Sequence, residues 1–185
     1  MGKSGRALVK AGALLVLAAL CLAAYNGWDD RRAAAELAEQ TALAEAAVSA
    51  QADLTPAKTA GDGYAGVLDI PALGRKFPVL ERCDEATLRR APCRYTGRAD
   101  TDDLVIAAHN YTSHFGRLKE LRQGDRLRFT DSCGNIFSYE VVLCEILPAA
   151  AVEEMTAGEW ALTLFTCTPG GRSRVTVRCE RVERE

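Results

Sequence analysis

Residues 11–28 carry no charged side chain and consist mainly of Leu and Ala. At about 18 residues the run reaches the lower length needed to span a hydrocarbon core as a helix. Lys3, Arg6 and Lys10 precede it and Asp29 and Asp30 follow it. Basic residues on the near side favour an N-terminus held in the cytoplasm and a C-terminal domain outside. Length and flanking charge favour an uncleaved anchor. A cleaved signal peptide is the competing reading, since Leu22-Ala23-Ala24 supplies small residues near the end of the run. Lipoprotein processing at Cys21 is weaker, because Leu20 stands where a small residue is expected. All three readings export the rest of the chain.

The 185 residues suffice for one ordinary domain and an extra segment. Against 25 acidic residues stand 23 Lys and Arg, scattered rather than gathered into a stripe, so a nucleic-acid partner is not expected. Beyond Cys21 the cysteines are Cys83, Cys93, Cys133, Cys144, Cys167 and Cys179. Export permits disulfides, but spacing does not fix their connectivity. If Cys167 stays free for chemistry, the other five leave at least one more unpaired within a monomer. The simplest reading is that several are small buried or half-buried residues.

Residues 31–51 are rich in Ala, Glu, Leu and Gln, all strong helix formers. Leu37, Leu43 and Val48 make no broad apolar stripe, so the segment reads as a helical stalk with little to pack against. Thr55-Pro56 and Gly61-Asp62-Gly63 mark a linker. The expected organisation is an anchor at 1–28, a stalk and linker at 29–63, and a globular domain at 64–185. From Tyr64 onward, short β-branched-rich runs alternate with turn residues. Candidate strands are 66–70, 76–80, 104–108, 126–130, 136–147, 161–167 and 174–182, with a hairpin turn at 131–135. Short helices are expected at 85–90 and 115–121, and within 150–155. Many strands with brief helical connections suggest an all-β, closed or nearly closed barrel.

His109 stands where the apolar run 104–108 emerges into a polar loop. Cys167 occupies the equivalent place after 161–166; Pro169-Gly170-Gly171 then forces a turn, and the next strand begins with Arg174. Strand ends let a rigid scaffold aim side chains into a shared groove. If Leu162 and Leu164 face the core, Thr163, Phe165 and Cys167 face out, and so does Arg174. A thiol beside an imidazole is the minimal kit for acyl transfer, and a guanidinium holds charge developing on the carbonyl oxygen. Taken singly, a lone Cys or His is more often packing or surface than machinery. His114 reads as a solvated loop residue. Arg172 rivals Arg174, but its place in the Gly-rich turn fixes its aim poorly. Papain-like proteases place Cys before His, the reverse of the order here. Zinc is poorly supported, because neither His has closely paired Cys ligands.

Thr163-Leu164-Phe165-Thr166-Cys167 resembles the T-L-x-T-C signature of the sortase family, and Arg174 stands where that family has its arginine. Leu104-Val105-Ile106-Ala107-Ala108-His109 resembles the family's histidine region, while Gly66-Val67-Leu68-Asp69-Ile70-Pro71 and Phe77-Pro78-Val79 resemble its opening strands. The resemblance runs from about Tyr64 to Val182. It implies an eight-stranded barrel with short connecting helices behind an N-terminal transmembrane helix. It also implies a transpeptidase with Cys167 as nucleophile, His109 as general acid/base and Arg174 as oxyanion or substrate stabiliser. No cofactor or metal is implied. The implied partners are exported proteins bearing a C-terminal sorting signal, typically cleaved after a Thr, and a peptidoglycan-precursor or pilin amine as acceptor. His109-Asn110 is most similar to class B; the short connection at 148–160 makes class D the runner-up.

With the ordinary pKa values of a thiol (about 8.5) and an imidazole (about 6.5), a thiolate–imidazolium pair is only about 1% of molecules at intermediate pH. That predicts a slow enzyme with a bell-shaped pH profile. Direct titration finding the thiolate fully formed at pH 6 would instead mean a preformed ion pair. Two other classes compete. A non-catalytic exported β-barrel binding module need not keep all three side chains. An L,D-transpeptidase expects His-Gly just before its Cys, where Phe165-Thr166 stands here.

Overall fold

The computed structural model describes residues 3–51, 63–157 and 159–183, with the side chains of 3–6 and 47–51 left aside. The linker signals at Thr55-Pro56 and Gly61-Asp62 lie outside the described residues. Two units emerge, Met1–Arg32 and Ala33–Glu185. The first consists of the N-terminal part of helix α1 (Lys3–Gln51), which exposes Leu14, Leu15, Leu17, Leu20 and Leu22. A helix apolar on every side suits lipid rather than water. Among the described residues it is the one helix long and apolar enough to cross a membrane by length and composition. Trp28, with Tyr25 and Arg32 near its ring, gathers aromatic and cationic groups at the end of the apolar stretch, a composition common at membrane interfaces.

The second unit is a closed barrel of eight strands in the order β1-β2-β3-β4-β7-β8-β6-β5. The strands are β1 (Tyr64–Ile70), β2 (Arg75–Leu80), β3 (Cys93–Thr96), β4 (Leu104–Ala108), β5 (Arg126–Asp131), β6 (Ile136–Pro148), β7 (Leu162–Cys167) and β8 (Ser173–Val182). Closure leaves the inner face to side chains alone, and Leu68, Phe77, Ile106, Leu127, Tyr139, Leu164 and Val177 fill it with at most 2% of their surface exposed. The β5–β6 hairpin turns at 131–135 as expected, because Asp131 Oδ1 accepts from the N–H groups of Cys133 and Asn135, both at 2.8 Å. Helix α2 (Glu85–Arg90) starts where Asp84 and Thr87 cap each other reciprocally.

Three expectations are corrected. Strand β3 went unseen: it has only four residues and follows Pro92, too short a run for periodicity to register. Residues 115–121 form no α-helix; a 3-10 turn covers Leu118–Glu120 alone. Helix α3 (Val152–Thr156) falls within its predicted window but for its last residue. The stalk is not free of contacts. Ala33, Leu37 and Ala44 are at most 5% exposed, and Leu37 joins the core cluster. Tyr64 Oη donates to Gln40 Oε1 at 2.6 Å, and Lys76 Nζ pairs with Glu45 at 2.9 Å. The buried face is built on two alanines, which count toward helix propensity yet add nothing to a stripe of large apolar residues. Cys83 and Cys93 form a disulfide across α2, whereas Cys21, Cys133, Cys144, Cys167 and Cys179 are free thiols.

Candidate active site

Three adjacent strands supply the site. β4 and β7 run parallel, with Ala107 opposite Phe165 and Ala108 opposite Thr166. The next residues on the two strands, His109 and Cys167, therefore leave the barrel side by side. β7 and β8 are antiparallel, with Cys167 directly opposite Arg174. Neighbouring strands lie about 4.8 Å apart, so the sulfur sits between an imidazole and a guanidinium whose strands span about 10 Å. The inner face takes Leu162 and Leu164, both fully buried, which puts Cys167 and Arg174 on the outer face as the alternation predicted. All three side chains are half-buried.

Local structure holds each one. Thr166 Oγ1 donates to Ala108 O at 2.8 Å, a buried bond pinning together the two strand ends from which His109 and Cys167 emerge. The loop after His109 folds back: Phe115 N donates to His109 O at 3.1 Å, while the fully buried Phe115 ring meets Phe77 edge-on at 5.4 Å. Gly116 permits that fold, since a Cβ there would lie 2.5 Å from Asn110 O and 2.7 Å from Tyr111 O. Tyr111 lies between two imidazoles, tilted against His109 and edge-on to His114, with its ring centroid 5.3 Å from each.

His114 is fully buried, not solvated, because Phe115 draws the loop inward beneath Tyr111. Burial pushes its imidazole down to about 4, with smaller contributions from the positive charges of His109 and Arg75. It is neutral at neutral pH. Past Cys167, Gly170 and Gly171 take positive φ of 83° and 72° to close the turn, where Thr168 N donates to Ser173 O at 2.9 Å. Arg174 Nη1 donates to Gly171 O at 2.9 Å and Ser173 O at 3.1 Å, so the turn holds one edge of the guanidinium at the end of this side chain. Arg172 sits exposed in that turn.

The outer faces of the β4–β7 pair are covered, although alternation alone would leave them open. Helix α2 lies against β4 and α3 against β7. Phe165 is 9% exposed and meets Tyr95 of β3 edge-on at 5.3 Å. Under α3, Arg178 of β8 is buried, a residue that sequence reasoning passed over. Its only signal was its place at i+4 from Arg174, on the same face. Among the described residues no group of three or more His, Cys, Asp or Glu gathers as metal ligands would.

A family model for the sortase domain matches residues 68–182, and the chain belongs to the sortase family. It is 30% identical over 109 residues to a protein named sortase D from Bacillus subtilis, covering 56% of this chain and 54% of that one; the chain thus matches about half the length of this curated relative. Solved structures share the fold. Sortase A from Corynebacterium diphtheriae superposes with a TM-score of 0.59 at 20% identity, over 87% of this chain and 94% of that one. Sortase C1 from Streptococcus suis gives 0.57 at 23% identity, over 67% and 75% of the two chains.

Proposed function

We propose that this chain is a membrane-anchored cysteine transpeptidase acting on exported proteins. The observation carrying this reading is the order His109, Cys167, Arg174 across three adjacent strand ends, with the sulfur in the middle. The Cys167 thiolate attacks the scissile carbonyl carbon of a sorting signal. Arg174, through guanidinium N–H groups not given to its own turn, stabilises the oxyanion. Collapse of the tetrahedral intermediate expels the amine, which takes a proton from the His109 imidazolium and leaves a thioester. An acceptor amine then attacks that carbonyl, gives its proton to His109 and frees the thiolate. A peptidoglycan-precursor or pilin amine fits the second step.

Residues 1–28 serve as a single-pass anchor with the N-terminus inside, and 64–185 act outside the membrane; 29–63 joins them. The class D name of the relative and the short connection at 149–161 favour a class D reading over class B. The test uses the full chain in detergent with a panel of fluorogenic, Thr-containing sorting peptides and a glycine peptide as acceptor. Cys167→Ala should abolish thioester formation seen by intact-mass spectrometry. Arg174→Ala should lower kcat/KM by about 10²–10³-fold, the loss expected for one oxyanion donor. A wild-type chain that neither labels at Cys167 with a thiol reagent nor cleaves any peptide would count against the enzyme.

A further inference from the structure

Arg178 is 3% exposed and makes hydrogen bonds to three separate elements. Its Nε donates to Glu145 Oε1 of β6 at 2.9 Å. Nη1 donates to Thr163 Oγ1 of β7 at 3.1 Å and to Met155 O at 3.2 Å, and Nη2 donates to Glu154 O at 2.7 Å. Glu154 and Met155 lie in α3, a helix of five residues with no side-chain cap at its start. So short a helix is not stable by itself. Its last carbonyls have no backbone N–H partners within the helix and carry the negative end of its dipole, where a cation is favoured. Met155 is its buried apolar residue, while Val152 is 43% exposed. The guanidinium therefore does more to fix α3 than the helix's own sequence does.

The place of α3 gives that fixing a consequence. The 149–161 connection leaves β6 beside the site, with Leu147 opposite Arg174, Pro148 opposite Ser173, and Ala149 N donating to Arg172 O at 3.2 Å. Its helix α3 then lies against β7, with Arg178 of β8 bonded to it from below. Helix α2 lies against β4 and α3 against β7, the two strands that end beside His109 and Cys167, so the two helices flank the strands that carry the site.

We propose that Arg178, held by Glu145, is a positioning residue that keeps residues 149–157 in place as a preformed wall for the sorting peptide. The proposal rests on the transpeptidase reading. Arg178 reaches no reacting atom. Its effect falls on substrate binding, because a wall already ordered need not be ordered by the substrate.

Arg178→Met and Glu145→Gln would be compared with wild type in full-length protein, by steady-state kinetics on the peptide panel and by hydrogen exchange of the 150–157 amides. Arg178→Met should raise KM about ten-fold with kcat within about two-fold, and speed exchange in that segment. Glu145→Gln, which leaves the carbonyl bonds in place, should move both readouts the same way by less; it serves if Arg178→Met does not fold. Unchanged exchange in a folded Arg178→Met would overturn the latch. Faster exchange with unchanged KM, or a loss confined to kcat, would overturn its role in substrate binding. A wild type inactive on every peptide would remove the transpeptidase reading and this proposal with it, an outcome distinct from a variant effect in an active enzyme.

Discussion

The imidazole of His114 has no solvent, and neither ring nitrogen meets a hydrogen-bond partner among the described residues. An unfolded chain gives the same group an ordinary pKa of about 6.5. Between about pH 4 and 6.5 the unfolded state thus binds more protons than the native state, and native stability falls as pH drops through that window. His114→Leu removes the ionisable group at similar volume. The expected outcome is a smaller loss of urea midpoint between pH 7 and pH 5 than in wild type. Thr166→Val should leave Ala108 O without its side-chain donor and cost about 1–2 kcal/mol, read from the urea midpoint at pH 7. His109, Cys167 and Arg174 were legible in the sequence as candidates because each lies within one residue of a strand end, and strand ends have few directions to point. His114 was not. Thr-Ser-His reads as a polar loop until Phe115 is known to insert beneath it, and that insertion depends on Phe77, 38 positions away in the chain.

At the level of elements, periodicity found every strand long enough to alternate and missed the one with four residues. It also read the outer faces of β7 and β8 as open, since alternation says which way a side chain points and not what later covers it. Thr163, Thr176 and Arg178 are at most 3% exposed for that reason. The Cys83–Cys93 bridge closes a short loop around α2, with a sequence separation of 10. Loop-closure entropy for such a ring amounts to about 2–3 kcal/mol. Cys83→Ser with Cys93→Ser should lower stability by about that amount, measured by denaturant titration. The oxidised chain should weigh two hydrogens less than the reduced one. Because β3 begins at Cys93 and pairs with Ala107, two residues before His109, a lower kcat is also expected in the double variant.

For the molecule as a whole, the barrel unit extends beyond its strands to include the helix residues from Ala33 onward. Leu37→Ala should cost about 2–5 kcal/mol, as a truncated core leucine does, and a thermal melt would show it. Barrel closure has another result, which concerns time. Ala108 and Thr166 hold each other across 58 positions of chain, and contacts so distant in sequence form late. Only the closing of β7 between β4 and β8 sets Cys167 beside His109 and Arg174, so a partly folded chain lacks the arrangement on which the proposed chemistry rests.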